Sequence, residues 1–333
     1  PETDPDATPA QVTYAEHIAP ILYAKCTTCH HPGDIGPFPL QSYNDAKRWA
    51  KEIKYYTERR LMPPWKPTPG FAKFKDEFYL TDEEIALIAR WVDSGAPAGD
   101  LSKAPKPPTF SKGWYYGEPD LVVEMPEAYE LDGVGGDEYR YFVIPVELPA
   151  NKVIVGIDIQ PGNREVVHHA NMFVDTSGRA RQLDAEDPGP GYSNFGGTGF
   201  IPAMMLGGWV PGMRPIKLEG GYAVALPRKF DLVMQVHYFK RGKPEKDRTK
   251  IGLYLADRTE DHKPVQLAVI GNRNINIPPG EKNYRVHARW TTPNDRPVYA
   301  LSIMAHMHLI ARGTEVVAKT PDGRTIPLLQ IKD

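Results

Sequence analysis

Cys26-Thr27-Thr28-Cys29-His30 carries the most specific chemistry in the chain. Two thiols three positions apart, followed directly by a histidine, form the attachment signature of a c-type haem. The thiols add to the porphyrin vinyl groups, and His30 is then held beneath the iron as proximal ligand. The plainer reading is a reduced pair or a small disulfide with a chance histidine beside it. The chain holds 2 cysteines, so haem attachment uses both and leaves stability to packed cores. A sixth iron ligand is expected downstream, and Met62 in Arg59-Arg60-Leu61-Met62-Pro63-Pro64-Trp65 is the candidate. The prolines stiffen its loop, and a thioether on iron raises the haem potential. His17 and His31 are the rivals, but His17 reads as a packing residue on its helix and His31 is too close to His30 to reach the opposite face.

A second group of chemistry-bearing residues lies far downstream. Five histidines fall in three strand-like runs: His168-His169 in Val-Val-His-His-Ala-Asn-Met-Phe, His237 in Met-Gln-Val-His-Tyr-Phe, and His306-Met307-His308 in Met-Ala-His-Met-His-Leu. Residues two apart on a strand share a face, so His306 and His308 are read as a chelating pair. His168 and His169 would point to opposite faces, so a shared metal requires the strand to end, twist or bulge there. Imidazole-only sites suit copper, zinc, iron or nickel. Each histidine taken singly reads as a buried, hydrogen-bonded residue; the grouping favours metal. A zinc reading, with three histidines and an open position, would give a hydrolase. His262 and His287 lack such company and read as surface residues.

These side chains need elements to place them. A helix is expected from Thr13, where Thr13 and Glu16 are spaced as a capping box, and its apolar face delivers the chain to Cys26. Further helices are expected from Ser42 and from Thr81, the latter boxed by Glu84 and ended by Gly95 and Pro97. Three helices around one haem predict a class I-like cytochrome c domain over residues 1–100. Residues 101–119, with four prolines among Lys and Ser, read as a semi-rigid linker. Beyond them, Val-, Ile-, Tyr- and Phe-rich runs bounded by Gly, Pro, Asn or Asp predict strands and an antiparallel β-sandwich of jelly-roll type. Two such domains are expected, 120–260 and 261–333. Gly189 to Gly199 lacks the Lys-Ser or Lys-Thr of a phosphate loop and reads as a mobile surface loop.

Composition narrows the class. Apolar residues make up 41% of the 333, and the formal net charge of −2 gives no nucleic-acid footprint. No apolar run reaches membrane-spanning length. The opening Pro-Glu-Thr-Asp-Pro has no basic, apolar leader and reads as a mature N-terminus after signal-peptide removal. With covalent haem, this points to a soluble periplasmic or secreted protein.

The His-His, Gln-Val-His-Tyr and His-Met-His strings, in this order, resemble the copper type II ascorbate-dependent monooxygenases, the family of peptidylglycine alpha-hydroxylating and dopamine beta-monooxygenases. The resemblance covers about residues 120–333. The front of the chain, with its Cys-Thr-Thr-Cys-His, Arg-Leu-Met-Pro-Pro-Trp and Trp91-Val92-Asp93-Ser94-Gly95-Ala96-Pro97 runs, looks like bacterial relatives carrying a cytochrome c domain. What the resemblance implies is a two-copper enzyme. His168, His169 and His237 would bind the electron-supplying copper in the first sandwich. His306 and His308 would bind the second, catalytic copper, where O2 and a small organic substrate meet and a C–H bond is hydroxylated. The family completes that second site with a methionine from a later strand, beyond Asp333; Met304 is the substitute within the chain, and the second sandwich reads as incomplete. The tethered haem would relay electrons from an external donor in place of ascorbate. The alternative is an exported haem and copper electron carrier without oxygenase activity.

Overall fold

The computed structural model describes residues 11–110, 113–194, 197–272, 274–293, 297–307 and 310–332. Its helices are α1 (Ala19–Lys25), preceded by one wide turn at Tyr14–Ile18, then α2 (Tyr43–Arg48), α3 (Ala50–Glu58), α4 (Asp82–Asp93) and α5 (Arg179–Glu186). Its strands are β1 (Leu121–Glu124), β2 (Tyr129–Leu131), β3 (Glu138–Glu147), β4 (Lys152–Gln160), β5 (Val167–Asp175), β6 (Met204–Trp209), β7 (Ile216–Lys217), β8 (Tyr222–Ala223), β9 (Lys229–Tyr238), β10 (Glu245–Asp247), β11 (Lys250–Asp257), β12 (Lys263–Pro264), β13 (Gly313–Lys319) and β14 (Thr325–Lys332). The chain divides into two compact units, Pro1–Trp49 with Ala96–Leu267, and Ala50–Gly95 with Ala268–Asp333.

This corrects the expected fold class. The protein is mainly β, 28% strand against 16% helix, and no helical cytochrome c domain is evident among the described residues at its front. The helices are short, and the division between units falls at Trp49, separating α1 and α2 from α3 and α4. Helices of two or three turns are marginal alone and depend on whatever they pack against. The first turn is instead tied to the segment after α4, through Tyr14 N–H to the Pro97 carbonyl (2.9 Å) and Ala15 N–H to the Ala98 carbonyl (3.0 Å).

In the first unit, two four-stranded sheets share one core. Their strand orders are β1-β11-β4-β7 and β3-β9-β5-β6, with antiparallel pairing throughout. The core follows strand alternation. On β9, Leu232, Met234, Val236 and Tyr238 are wholly buried and meet Phe142 and Ile144 of β3, Met172 and Val174 of β5, and Ile251 and Leu253 of β11. The outer face of β9 carries Val233, Gln235 and His237. Val233 is covered by Tyr141, Ala180 and Tyr192, which leaves the histidine end of that face for chemistry. The glycine-rich segment takes part in this covering through Tyr192. Arg140 holds it through the carbonyls of Pro190 (2.8 Å) and Gly191 (2.7 Å), and Tyr192 pairs with Tyr141 across backbone hydrogen bonds. Gly191 is obligatory there, because a Cβ would lie 2.4 Å from the Tyr141 carbonyl oxygen.

In the second unit, α3 and α4 are linked by Lys54 Nζ to Asp93 Oδ1 at 2.6 Å. The capping box read at Thr81 forms in full, with Glu84 N–H to Thr81 Oγ1 at 3.2 Å and Thr81 N–H to Glu84 Oε2 at 2.8 Å. The second sandwich does not form among the described residues. β13 and β14 make a hairpin, and the described stretches of 268–312 contain no strand. Among the described residues, only Val265 of the run expected as a strand at 265–270 bonds a strand, through its N–H to the Ala223 carbonyl at 3.0 Å, and the runs expected at 284–290 and 298–310 have no strand partner. Without one, an apolar stretch can neither satisfy its backbone groups in a ladder nor bury its face; Val269, Val286, Trp290 and Tyr299 are exposed.

Candidate metal centre

β5 and β9 bring three histidines together at one edge of the outer face. The β5–β9 register runs Val167 opposite Tyr238 and His169 opposite His237, with the shift falling between them. His168 is therefore the extra residue of a β-bulge. A bulge leaves one residue unpaired and re-aims its side chain, so two consecutive histidines reach the same side. His168 Nδ1 lies 3.0 Å from His237 Nδ1 and 3.4 Å from His169 Nδ1. One ligand atom from each ring falls within 4.8 Å of the others. Nitrogens held at about 2.0–2.1 Å from a tetrahedral metal sit about 3.3 Å apart, so the rings are spaced as a chelating set.

The protonation states suit metal. Burial, reinforced by the neighbouring His237 and His168, pushes the His169 imidazole down to about 4. Burial also lowers His237, against the hydrogen bond from its Nε2 to Asp137 Oδ2 at 2.9 Å. Neutral imidazole is the ligand form. His237 is buried, its ring stacked on Tyr139 with centroids 4.1 Å apart and planes 8° from parallel. His168 is exposed, which leaves one side of the cluster open to solvent. Below it, Asn171 Nδ2 donates to Gln235 Oε1 (3.0 Å), and Gln235 donates to the Tyr141 hydroxyl.

The Cys26–His30 segment belongs to the same unit. Cys26 and His30 continue the turn of α1, with His30 N–H bonded to the Cys26 carbonyl at 2.9 Å. Neither cysteine forms a disulfide. His30 Nδ1 donates to the Phe38 carbonyl at 3.0 Å, which leaves Nε2 as the lone-pair nitrogen. The following loop wraps closely, and a Cβ on Gly36 would lie 2.5 Å from the Cys29 carbonyl oxygen. Two thiols and one oriented imidazole are a donor set that fits c-type haem. Burial, then the Asp34 carboxylate, pushes the Cys29 thiol up to about 11.

This segment touches the sandwich at two points. Cys29 Sγ lies 3.0 Å from where a Cβ on Gly212 would stand, at a left-handed φ of +79°, so only glycine fits the approach. Arg164 reaches buried Asp34 at 3.3 Å and also lies over the Trp209 ring at 5.6 Å. Trp209 on β6 pairs with Ala170 on β5, the residue after His169.

The remaining site residues stand apart from these. Met62 lies in the second unit, exposed after α3. His306 and Met304 are exposed in the same unit on irregular chain rather than a strand, and His308 lies outside the described residues. His17 Nδ1 accepts from Thr13 N–H at 3.1 Å, displacing the expected Thr13 cap. His31 stacks on Phe110 at 4.1 Å. Asp137, Tyr139 and Arg164 carried no motif, because the pairings that bring them to the site join segments far apart in sequence. No family model matches the chain, and no curated protein is significantly similar to it.

Proposed function

We propose that the chain is a haem- and copper-dependent oxidoreductase, with His168, His169 and His237 holding a copper that passes electrons to O2-dependent hydroxylation of an organic C–H bond. The carrying observation is the bulge at His168, which converges three Nδ1 atoms from two strands. Neutral imidazoles accommodate both copper oxidation states, and copper when bound supplies one-electron chemistry. The chain's own residues supply the rest. Burial keeps His169 and His237 neutral, the Tyr139 ring fixes the plane of His237, and exposed His168 leaves access from solvent.

Cys26, Cys29 and His30 would hold a c-type haem, the proposed source of those electrons. Its support is the single unit shared by both motifs, with Gly212 against Cys29 and Arg164 spanning Asp34 and Trp209. Covalent haem in turn favours an exported compartment. His306 and His308 remain the proposed ligands of a second, substrate-side copper. The competing reading is an electron carrier with the one copper; it is favoured by the irregular, exposed chain at His306.

Two experiments test the proposal on the haem- and copper-loaded protein. In stopped flow, reduced haem is expected to reoxidise in step with bleaching of Cu(II); haem that stays reduced while copper stays oxidised contradicts the relay. Incubation with isotope-labelled O2 and a panel of aliphatic and benzylic compounds is expected to label a hydroxylated product. Copper reduction without any labelled product leaves the carrier.

A further inference from the structure

We propose that Asp137 is the positioning residue of the three-histidine centre, holding His237 as an Nδ1 donor. The inference rests on the reading that these histidines bind a metal. A carboxylate only accepts hydrogen bonds, so the 2.9 Å contact from Asp137 Oδ2 assigns the proton to His237 Nε2. A neutral imidazole carries one ring proton. Nδ1 therefore presents its lone pair, and Nδ1 is the atom 3.0 Å from His168 Nδ1. Turning the ring over would replace the Asp137 contact with a carbon and withdraw Nδ1 from the cluster. The parallel Tyr139 ring holds the plane in which that choice is made.

Asp137 comes from outside the ligand strands. It stands just before β3, where Glu138 pairs with Tyr238 and Tyr139 with His237. The loop that carries it is tied down by Lys240, which donates to Asp132 Oδ1 at 2.7 Å and to the Val134 carbonyl at 3.0 Å. Lys240 itself lies three residues past His237, so one strand end fixes both the ring and the loop that orients it. The Asp137 side chain is 47% exposed, so its removal leaves the core intact. Carboxylates on the second nitrogen of a metal-bound histidine fix its tautomer and raise its basicity, and losing one typically weakens metal binding about 10–100-fold.

The test uses the full chain and copper(II) alone, with affinity read by chelator competition and geometry by EPR. Asp137→Ala is expected to weaken copper about 10–100-fold and to alter the nitrogen hyperfine pattern, while the metal-free melting temperature stays at the wild-type value. Asp137→Asn keeps an acceptor oxygen and is expected to recover most of the affinity. Equal affinity in wild type and Asp137→Ala overturns the proposal. So does a metal-free melting temperature that falls in Asp137→Ala alongside affinity, since that assigns a structural role. Failure of the wild type itself to bind copper would overturn the metal reading beneath it and is seen before any variant is made.

Discussion

The β5–β9 pair and the stretch around His306 began as equivalent signals: histidines in short apolar runs. In the first unit the run became a strand, because Val236, Tyr238, Ala170 and Met172 had a shared core to enter. Its histidines then acquired fixed directions. Around His306 the described residues of the same kind of run form no strand, and Val298, Tyr299, Leu301 and Met304 stay exposed. Alternating directions belong to paired strands. Histidine spacing thus acquires geometric meaning once a core and a neighbouring strand enforce the pleat.

The largest expected contrast is in metal binding. His237→Ala removes a proposed ligand and should cost more than the roughly 100-fold upper range seen for outer partners, as measured by copper competition; His306→Ala should leave the proposed three-histidine site unchanged. Next comes stability. Leu232→Ala, in the shared core, should lose about 2–5 kcal/mol in denaturant unfolding. Val286→Ala, on exposed chain, should fall within about 0.5 kcal/mol of wild type. Comparable losses at both positions would erase the distinction between the two regions.

Smaller effects sharpen it. Arg164→Gln removes the guanidinium beside buried Asp34, which keeps the Ile35 N–H at 2.8 Å and His31 Nε2 at 3.4 Å, for an expected loss of about 0.5–1.5 kcal/mol and a slowing of the proposed haem-to-copper transfer in stopped flow. Acid should act through the histidines. His169 is depressed to about 4 when folded, against about 6.5 unfolded, so between those values the unfolded chain binds more protons. Metal-free stability should then fall as pH drops through that window, with His169→Gln flattening the slope.

The sequence made some of this visible and hid the rest for physical reasons. Local signals were legible: the Thr81 box, the strand run that became β9, and the need for a break at His168-His169. The haem motif's contact with Gly212 was hidden, because it depends on how distant segments pack. The front helices misled, since their apolar stripes state that a face is buried and not what buries it. Thr13 shows the same limit, its cap lost to the ring of His17. The strand-like runs near His306 carried β propensity, which measures fit to a half-buried pleat rather than an intrinsic backbone choice.

The central claim is the convergence of His168, His169 and His237 on one metal. EPR of the 333-residue chain, titrated with copper(II), tests it most directly. A tightly bound Cu(II) with coupling to three imidazole nitrogens, abolished when the three histidines are replaced together by alanine, is the predicted result. The same signal persisting in that triple variant would contradict the account.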